Sequence, residues 1–491
     1  MSKLFKSWLV SVPLLLLLYS QSSQALSAQT TKVIEGNAPY LTFDGGRTRA
    51  NSVDSLLAIT LPDGRTITPS TNTSDTTNPI KLINGRTLGD ISMSVPSSTN
   101  LLNLNDLVNR YHYWGDDDGD GQGANGITAT GSISVSFTDK NGHTVSRSDT
   151  LDICDAPYKV TLSSTGGSLA TQYGVPNSSI FSGSTVSYYI NPNELPKICY
   201  VRVNLIYGGG NLDFRDNPSL AGPASIWDQN RGFLVQSTSL SSYDLNFPTT
   251  GLDGLYFDLD IGGVDGSELM WSVVTNGSIR ATVSWTRPHS GSFIDPERNS
   301  RPADIWISDK SHYVTRVMLN GPRADSNQIS SANPSPLTVP SLPQTFELVG
   351  RDSRGNEVRY GFVLRQWFVN RGGKHDTQSN QISWCSRLGY RLAKVKDLTN
   401  AKCGVHHYFP CSGGIDGATP RSSDNNYMRH IGAGFFTEWG YMNYYADVGF
   451  VYNYYWASDV AGSTPFAVSS GGGVVYSYIA SSDLYAVCTS P

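Results

Sequence analysis

Beyond Arg429 the sequence contains no lysine and no arginine, and over all 491 residues only 16% are charged. A chain so short of cations lacks the basic footprint that nucleic acid requires, and its formal net charge of -5 points the same way. Low charge together with 38% hydrophobic residues also excludes a disordered polyampholyte. After the first 25 residues no apolar stretch approaches the ~20 residues that span a bilayer, so the mature chain is expected to carry no transmembrane segment. Familiar catalytic motifs are missing too. There is no Gly-x-Ser-x-Gly elbow, no His-Glu-x-x-His, no phosphate-binding Gly-x-x-x-x-Gly-Lys-Ser/Thr and no dinucleotide Gly-x-Gly-x-x-Gly after a strand. The 8 histidines are scattered, with only His406 and His407 adjacent. A non-enzymatic protein is the expectation, although a triad assembled by folding leaves no such trace.

What is present is aromatic and turn-rich. Ten Trp, 26 Tyr and 17 Phe are ample core material, while 48 Gly and 25 Pro punctuate the chain as many short strands and turns. At roughly 100–200 residues per domain the length predicts three or four domains. The first segment reads as an address. Lys3 and Lys6 precede an apolar run from Trp8 to Tyr19 that includes Leu14 to Leu18, and Ser23-Gln24-Ala25 supplies small residues at the cleavage positions. This is the layout of a secretory signal peptide over residues 1–25, which sends the mature chain outside the cell or to its surface. A resident outer-membrane barrel large enough to export a domain would consume most of the chain, and the later segments read instead as separate modules.

Export places the six cysteines in an oxidising compartment, where they are expected to form disulfides. Fifteen pairings exist, and sequence alone does not select one. Spacing favours Cys154 with Cys199, isolated in the middle of the chain, and the neighbours Cys403 with Cys411, which leaves Cys385 and Cys488. The rival for the close pair is a zinc site, because Cys403-x-x-His406-His407-x-x-x-Cys411 offers four ligands.

Strand patterns dominate. Leu57 to Thr60 and Thr66 to Thr68 flank Pro62-Asp63-Gly64-Arg65 as a hairpin. Ile133, Val135 and Phe137 alternate with serines, and Tyr158 to Leu162, Val186 to Ile190 and Leu255 to Ile261 continue the theme. In the last of these, Leu255, Phe257, Leu259 and Ile261 are expected inside, with Tyr256, Asp258 and Asp260 wet. The more polar residues 286–343, with Pro334, Pro336, Pro340 and Pro343 near the end, suit a connector. Beyond it Thr345 to Gly350 and Glu357 to Val369 read as a hairpin. Gln378 to Leu388 and Ala393 to Ala401 read as short helices, the first with Ile382, Cys385 and Leu388 at helical spacing. The predicted fold class is mainly β with a C-terminal α+β domain. The expected division is a signal peptide at 1–25, an immunoglobulin-like β-sandwich at 26–153, a second β domain with its Pro-rich connector at 154–343, and the mixed domain at 344–491.

Two candidate sites emerge. In Asp116-Asp117-Asp118-Gly119-Asp120-Gly121, Asp116, Asp118 and Asp120 alternate around a turn as hard oxygen ligands for a structural calcium. The twelfth position is Ile127 rather than a bidentate Glu, so the loop departs from an EF-hand, and a solvated acidic turn is the plain alternative. No motif demands a cofactor beyond that candidate ion. The second site is the C-terminal aromatic field. Phe435, Phe436 and Trp456 read as core, whereas Trp439, Tyr441, Tyr444, Tyr445, Tyr452 and Tyr454, with Asp447 beside them, form a candidate contact surface. Rings without cations do not grip phosphates, which disfavours single-stranded nucleic acid.

Asn380-Gln381-Ile382-Ser383-Trp384-Cys385-Ser386-Arg387-Leu388-Gly389-Tyr390-Arg391-Leu392, Ile431-Gly432-Ala433-Gly434-Phe435-Phe436-Thr437-Glu438-Trp439-Gly440, Tyr455-Trp456-Ala457-Ser458-Asp459 and Tyr485-Ala486-Val487-Cys488 together resemble the C-type-lectin-like module that ends the invasin/intimin adhesins. The likeness covers roughly residues 345–491. Trp114 to Gly121, Ile153 to Tyr158, Phe247 to Gly251 and Val339 to Phe346 resemble the immunoglobulin-like and adhesion domains that precede that module. The resemblance implies tandem sandwiches followed by a lectin-like domain, and a disulfide from first helix to last strand, Cys385 with Cys488. The Glu-Pro-Asn, Gln-Pro-Asp and Trp-Asn-Asp tripeptides of sugar-binding lectins are missing, so calcium-dependent glycan binding is not implied. Typical members begin with their own barrel. This chain reads as a separate passenger and is similar in that respect to the Zir-type secreted antivirulence proteins. That similarity implies an outer-membrane invasin-like exporter, a secreted companion protein, and modulation of host interaction through a host cell-surface protein. The expectation is a secreted adhesin-like binder. A secreted glycan-binding lectin and a secreted hydrolase, recognisable by two convergent carboxylates beside a pocket, are the alternatives.

Overall fold

The computed structural model describes residues 35–42, 49, 53–119, 126–405, 411 and 414–490. Residues 1–25, read above as a signal peptide, and Asp120, His406 and His407 lie outside them. The described chain is mainly β, and its last segment mixes strands with helices. Among the described residues no helix is long and apolar enough to cross a membrane.

Two hydrophobic cores organise the molecule, and their limits differ from the expected boundaries at 153 and 343. The first core runs from Leu41 to Cys199. Its main sheet orders Ile80–Leu82, Ser178–Pro192, Tyr158–Ala170, Ser132–Thr138 and Leu101–Asn103. The expected segments Tyr158 to Leu162 and Val186 to Ile190 are parts of one long hairpin, in register from Tyr158 opposite Ile190 to Ala170 opposite Ser178. That hairpin belongs with the first unit. Val160, Leu162, Tyr188 and Ile190 point to the same side as Ile133 and Val135, and all six are buried there. The Asp-Gly turn hairpin forms as read, with Ile59 opposite Ile67.

The second core runs from Ile198 to Cys488 without interruption. A six-stranded sheet orders Trp227–Asp228, Gly232–Leu234, Lys197–Arg202, Tyr256–Gly262, Val314–Asn320 and Arg280–Thr286. Val314–Asn320 lies inside the stretch read as a connector. Its Val317 and Leu319 are fully buried, and Arg316, which masked the strand pattern, is buried against Asp258. Two pairings cross residue 343. Met270–Thr275 is antiparallel to Gln344–Arg351, and Thr250–Leu252 is parallel to Gln366–Asn370. The last segment therefore shares strands and core with the segment before it.

The final segment contributes to two further sheets. Gln366–Asn370, Val487–Thr489 and Arg391–Leu392 complete the one begun by Thr250–Leu252, and Tyr454–Ala461, Thr464–Ser469 and Val475–Ser477 form the other. The helix Gln378–Leu388 forms as read and stops at Gly389, whose φ of 88° caps it in the left-handed region. Its buried face is Gln381, Trp384, Cys385 and Leu388, while Ile382 faces outward. The second helix is shorter than read, Val395–Leu398. All six described cysteines are paired as the spacing favoured: Cys154–Cys199, Cys385–Cys488 and Cys403–Cys411, with Cα–Cα distances of 5.7, 5.5 and 5.4 Å. Disulfide bonding of Cys403 and Cys411 overturns the zinc alternative, because the thiolates it needs are consumed.

Candidate binding surface of the C-terminal segment

The aromatic field divides into a buried seam and an outer face. Trp439, Tyr441 and Tyr445, expected at the surface, are buried. The short helix Phe435–Trp439 starts at Gly434, where φ is 109° and an added Cβ would stand 2.6 Å from the Thr399 nitrogen. Trp439 at its end enters the middle segment, where its indole N–H donates to the Thr250 carbonyl at 3.0 Å. The Tyr445 hydroxyl accepts from the Asn204 amide at 3.0 Å and donates to the Trp439 carbonyl at 3.1 Å. Tyr441 stacks on Tyr207 with centroids 5.0 Å apart. The signal that these rings are internal was present upstream. Phe247, Phe257 and Tyr256 are the aromatic partners they pack on.

Two charges with no ion-pair partner among the described residues lock this seam. Glu438 is fully buried and accepts from the amides of Thr249 (3.1 Å), Thr250 (3.0 Å) and Gly432 (2.8 Å) and from the Thr249 hydroxyl (2.8 Å). Burial pushes its carboxyl above the usual value, and these donors pull against that shift. Arg429 is also fully buried. It donates to the carbonyls of Glu438 (3.1 Å), Ile206 (2.9 Å) and Asn204, and its guanidinium lies 4.6 Å from the Trp227 ring. Burial lowers its pKa. Each charge reaches from the final segment into the middle one, so the two segments are fixed in orientation by directional bonds as well as by apolar contact.

The strand Tyr256–Gly262 corrects a second expectation. Tyr256 and Asp258, read as its wet face, are buried. Arg316 engages both oxygens of Asp258, at 2.8 and 3.0 Å, and also Asp304 at 2.9 Å, while the Tyr256 hydroxyl bonds Asp304. A covering loop that carries Asp304 and Trp306, together with Tyr445 of the last segment, closes that face. Asp258 and Asp260 do line a cavity of about 200 Å³ with Arg202, Trp285 and Tyr313. Asp260 is held by Lys140 at 3.0 Å and by Arg231 at 2.8 Å. Both carboxylates are bound to cations, Asp258 to Arg316 and Asp260 to Lys140 and Arg231.

The outer face keeps the remaining candidates. Tyr452 is exposed, Tyr444 and Tyr454 are half-buried, and Asp447 is exposed at a positive φ of 67°. Tyr452 takes a hydrogen bond from Arg215, whose guanidinium lies 4.8 Å from the Tyr452 ring and 5.3 Å from that of Tyr207. Beside Arg215, Phe214 is 91% exposed. Sequence reading missed Tyr476 and Tyr478. They join Tyr454 as a shelf of half-buried rings, with centroids 4.7 Å apart from each other and 5.7 and 5.4 Å from Tyr454. The alternation Tyr476-Ser477-Tyr478 in a strand was the available sign. Small Ala467, opposite both Trp456 and Tyr476, leaves room for the rings to lie over the sheet.

The acidic run is occupied by protein contacts where it is described. The Asp118 carboxylate accepts the Asn37 amide at 2.8 Å, and Asp117 takes the Tyr40 hydroxyl at 3.0 Å and pairs with Arg49 at 2.6 Å. Asp116 is partly buried and Asp120 lies outside the described residues. No group of three or more His, Cys, Asp or Glu that could hold a metal ion occurs among the described residues.

Comparison with solved structures finds bacterial adhesins. Invasin, a bacterial integrin-binding protein, aligns with 74% of this chain at 11% identity and a TM-score of 0.33, and this chain spans half of its length. A 282-residue C-terminal fragment of intimin, in complex with the intimin-binding domain of the translocated intimin receptor, aligns with 74% at 11% identity and a TM-score of 0.30. An intimin mutant from EHEC O157:H7 aligns with 50% at 13% identity and a TM-score of 0.24. No protein-family model and no curated protein sequence matches the chain.

Proposed function

We propose that this is a secreted, adhesin-like, non-enzymatic protein that binds another protein through the outer aromatic face of its C-terminal segment. The supporting observation is the placement of Tyr452, Tyr454, Tyr476 and Tyr478 on a frame that cannot easily shift. Cys385–Cys488 ties the first helix to the last strand, and buried Arg429 and Glu438 fix that frame to the middle segment. Rigid rings that keep one side in water supply contact area at low ordering cost. Residues 1–25 act as a signal peptide in this reading. An outer-membrane invasin-like protein serves as exporter, a secreted companion accompanies the chain, and the receptor is a host cell-surface protein. Asp116, Asp118 and Asp120 remain the proposed place for a structural calcium. Intimin is solved with its receptor domain and invasin is an integrin-binding protein; a protein partner for this chain is the analogous proposal.

The test uses the mature chain, fluorescently labelled, on cultured host cells. Saturable binding that protease treatment of the cells abolishes is expected, with a roughly tenfold loss for the double variant Tyr454→Ser and Tyr476→Ser, in line with the weight of aromatic anchors in interfaces. Binding that survives protease but disappears after glycosidase would favour the glycan-binding alternative.

A further inference from the structure

We infer that the shelf formed by Tyr454, Tyr476 and Tyr478 receives an arginine or lysine side chain of the protein partner. The inference rests on the protein-binding reading above and names the chemistry of what settles there.

Three observations converge on it. The first is shape. The three rings are half-buried and mutually within 4.7 to 5.7 Å, so each keeps part of its surface in water beside the others. The second is charge. From residue 430 to 491 there is no lysine or arginine, and Asp447 and Asp483 are exposed. A cation approaching the shelf therefore meets no like charge from the sheet that bears it, and the negative faces of the rings attract it. The third is precedent within the molecule. One end of the same aromatic band already holds a guanidinium, Arg215, between Tyr207 and Tyr452, with the Tyr441 hydroxyl accepting from it at 3.2 Å. That arginine comes from the middle segment. At the other end the rings recur, and the sequence of their own sheet supplies no cation.

The mature chain is titrated with a soluble Gly/Ser peptide carrying three arginines, and with lysine and citrulline counterparts of the same length, followed by calorimetry. The arginine and lysine peptides bind and the citrulline peptide does not. Changing both Tyr476→Ser and Tyr478→Ser weakens arginine-peptide binding roughly five- to thirtyfold, whereas Tyr476→Phe with Tyr478→Phe stays within about twofold, since the ring face and not the hydroxyl attracts the cation. Unfolding midpoints equal to the parent's show that the variants fold. Equal binding of arginine and citrulline peptides, or no loss in the serine variant, overturns the inference. The two readings fail separately. If the chain binds cells and the arginine peptide neither binds the chain nor competes with the cells, the cationic partner falls and protein binding stands. If the peptide binds the shelf and cells are not bound, the host-protein reading falls and the shelf's preference stands.

Discussion

Arg429 shows how one residue outside every recognised motif can hold a seam. Its guanidinium serves carbonyls from both sides of the junction and stacks near Trp227. Removing it leaves those carbonyls without a donor inside a sealed interior, and the vacated volume cannot collapse easily. Arg429→Met is expected to destabilise the protein by about 1–3 kcal/mol, the cost of a buried acceptor left unpaired, seen as a lowered midpoint in urea, with the larger part of the effect in residues 198–490 by hydrogen exchange. A change of less than about 0.5 kcal/mol, the range of ordinary surface substitutions, would deny it that role. Glu438 is the mirror case, a buried carboxylate stabilised by backbone and hydroxyl donors in place of a cation.

At the scale of elements, the final segment depends on its ends being joined. The helix Gln378–Leu388 and the strand Val487–Thr489 are brought together by Cys385–Cys488, 103 residues apart. Constraining so long a loop in the unfolded chain stabilises the fold by up to about 4–5 kcal/mol in the chain-entropy model. The double variant Cys385→Ala and Cys488→Ala is expected to lose about 2–5 kcal/mol in thermal or urea unfolding. The pair Cys403–Cys411 spans only 8 residues, and its loss is expected to matter less. The strands Tyr454–Ala461 and Val475–Ser477, which carry Tyr454 and Tyr476, pair with Thr464–Ser469, whose Phe466 and Val468 are buried, so the shelf inherits the rigidity of the stapled core.

At the scale of the whole molecule, the two cores meet at a small polar junction. Asp260 pairs with Lys140 from the first unit and Arg231 from the second, Arg231 also reaches Asp155 at 2.6 Å, and Cys154–Cys199 runs alongside. Burial pushes the Asp260 carboxyl up, but Lys140 and Arg231 outweigh it and hold it below the ordinary carboxylate value. A group whose folded pKa lies below its unfolded one contributes stability above the ordinary value and loses it as the pH falls through the folded value. The junction is therefore expected to loosen below about pH 4, with faster hydrogen exchange around residues 139–142 and 152–155, and Asp260→Asn is expected to flatten that acid response. Unchanged exchange between pH 5 and pH 3 would argue that the junction does not depend on this cluster.

The β class, a spacing preference among the cysteines, the core role of Phe435, Phe436 and Trp456, and the helix Gln378–Leu388 were legible in the sequence. Each rests on local pattern: alternation, cysteine spacing and turn residues. Tertiary structure alone decided where one unit stops and the next begins, because strands such as Val314–Asn320 and Met270–Thr275 take their partners from far along the chain. It also decided which rings face water. A tyrosine carries the same apolar body and polar tip whether it is sealed in a seam, as Tyr445 is, or left half in solvent, as Tyr476 is. Only the neighbours brought by folding separate the two cases.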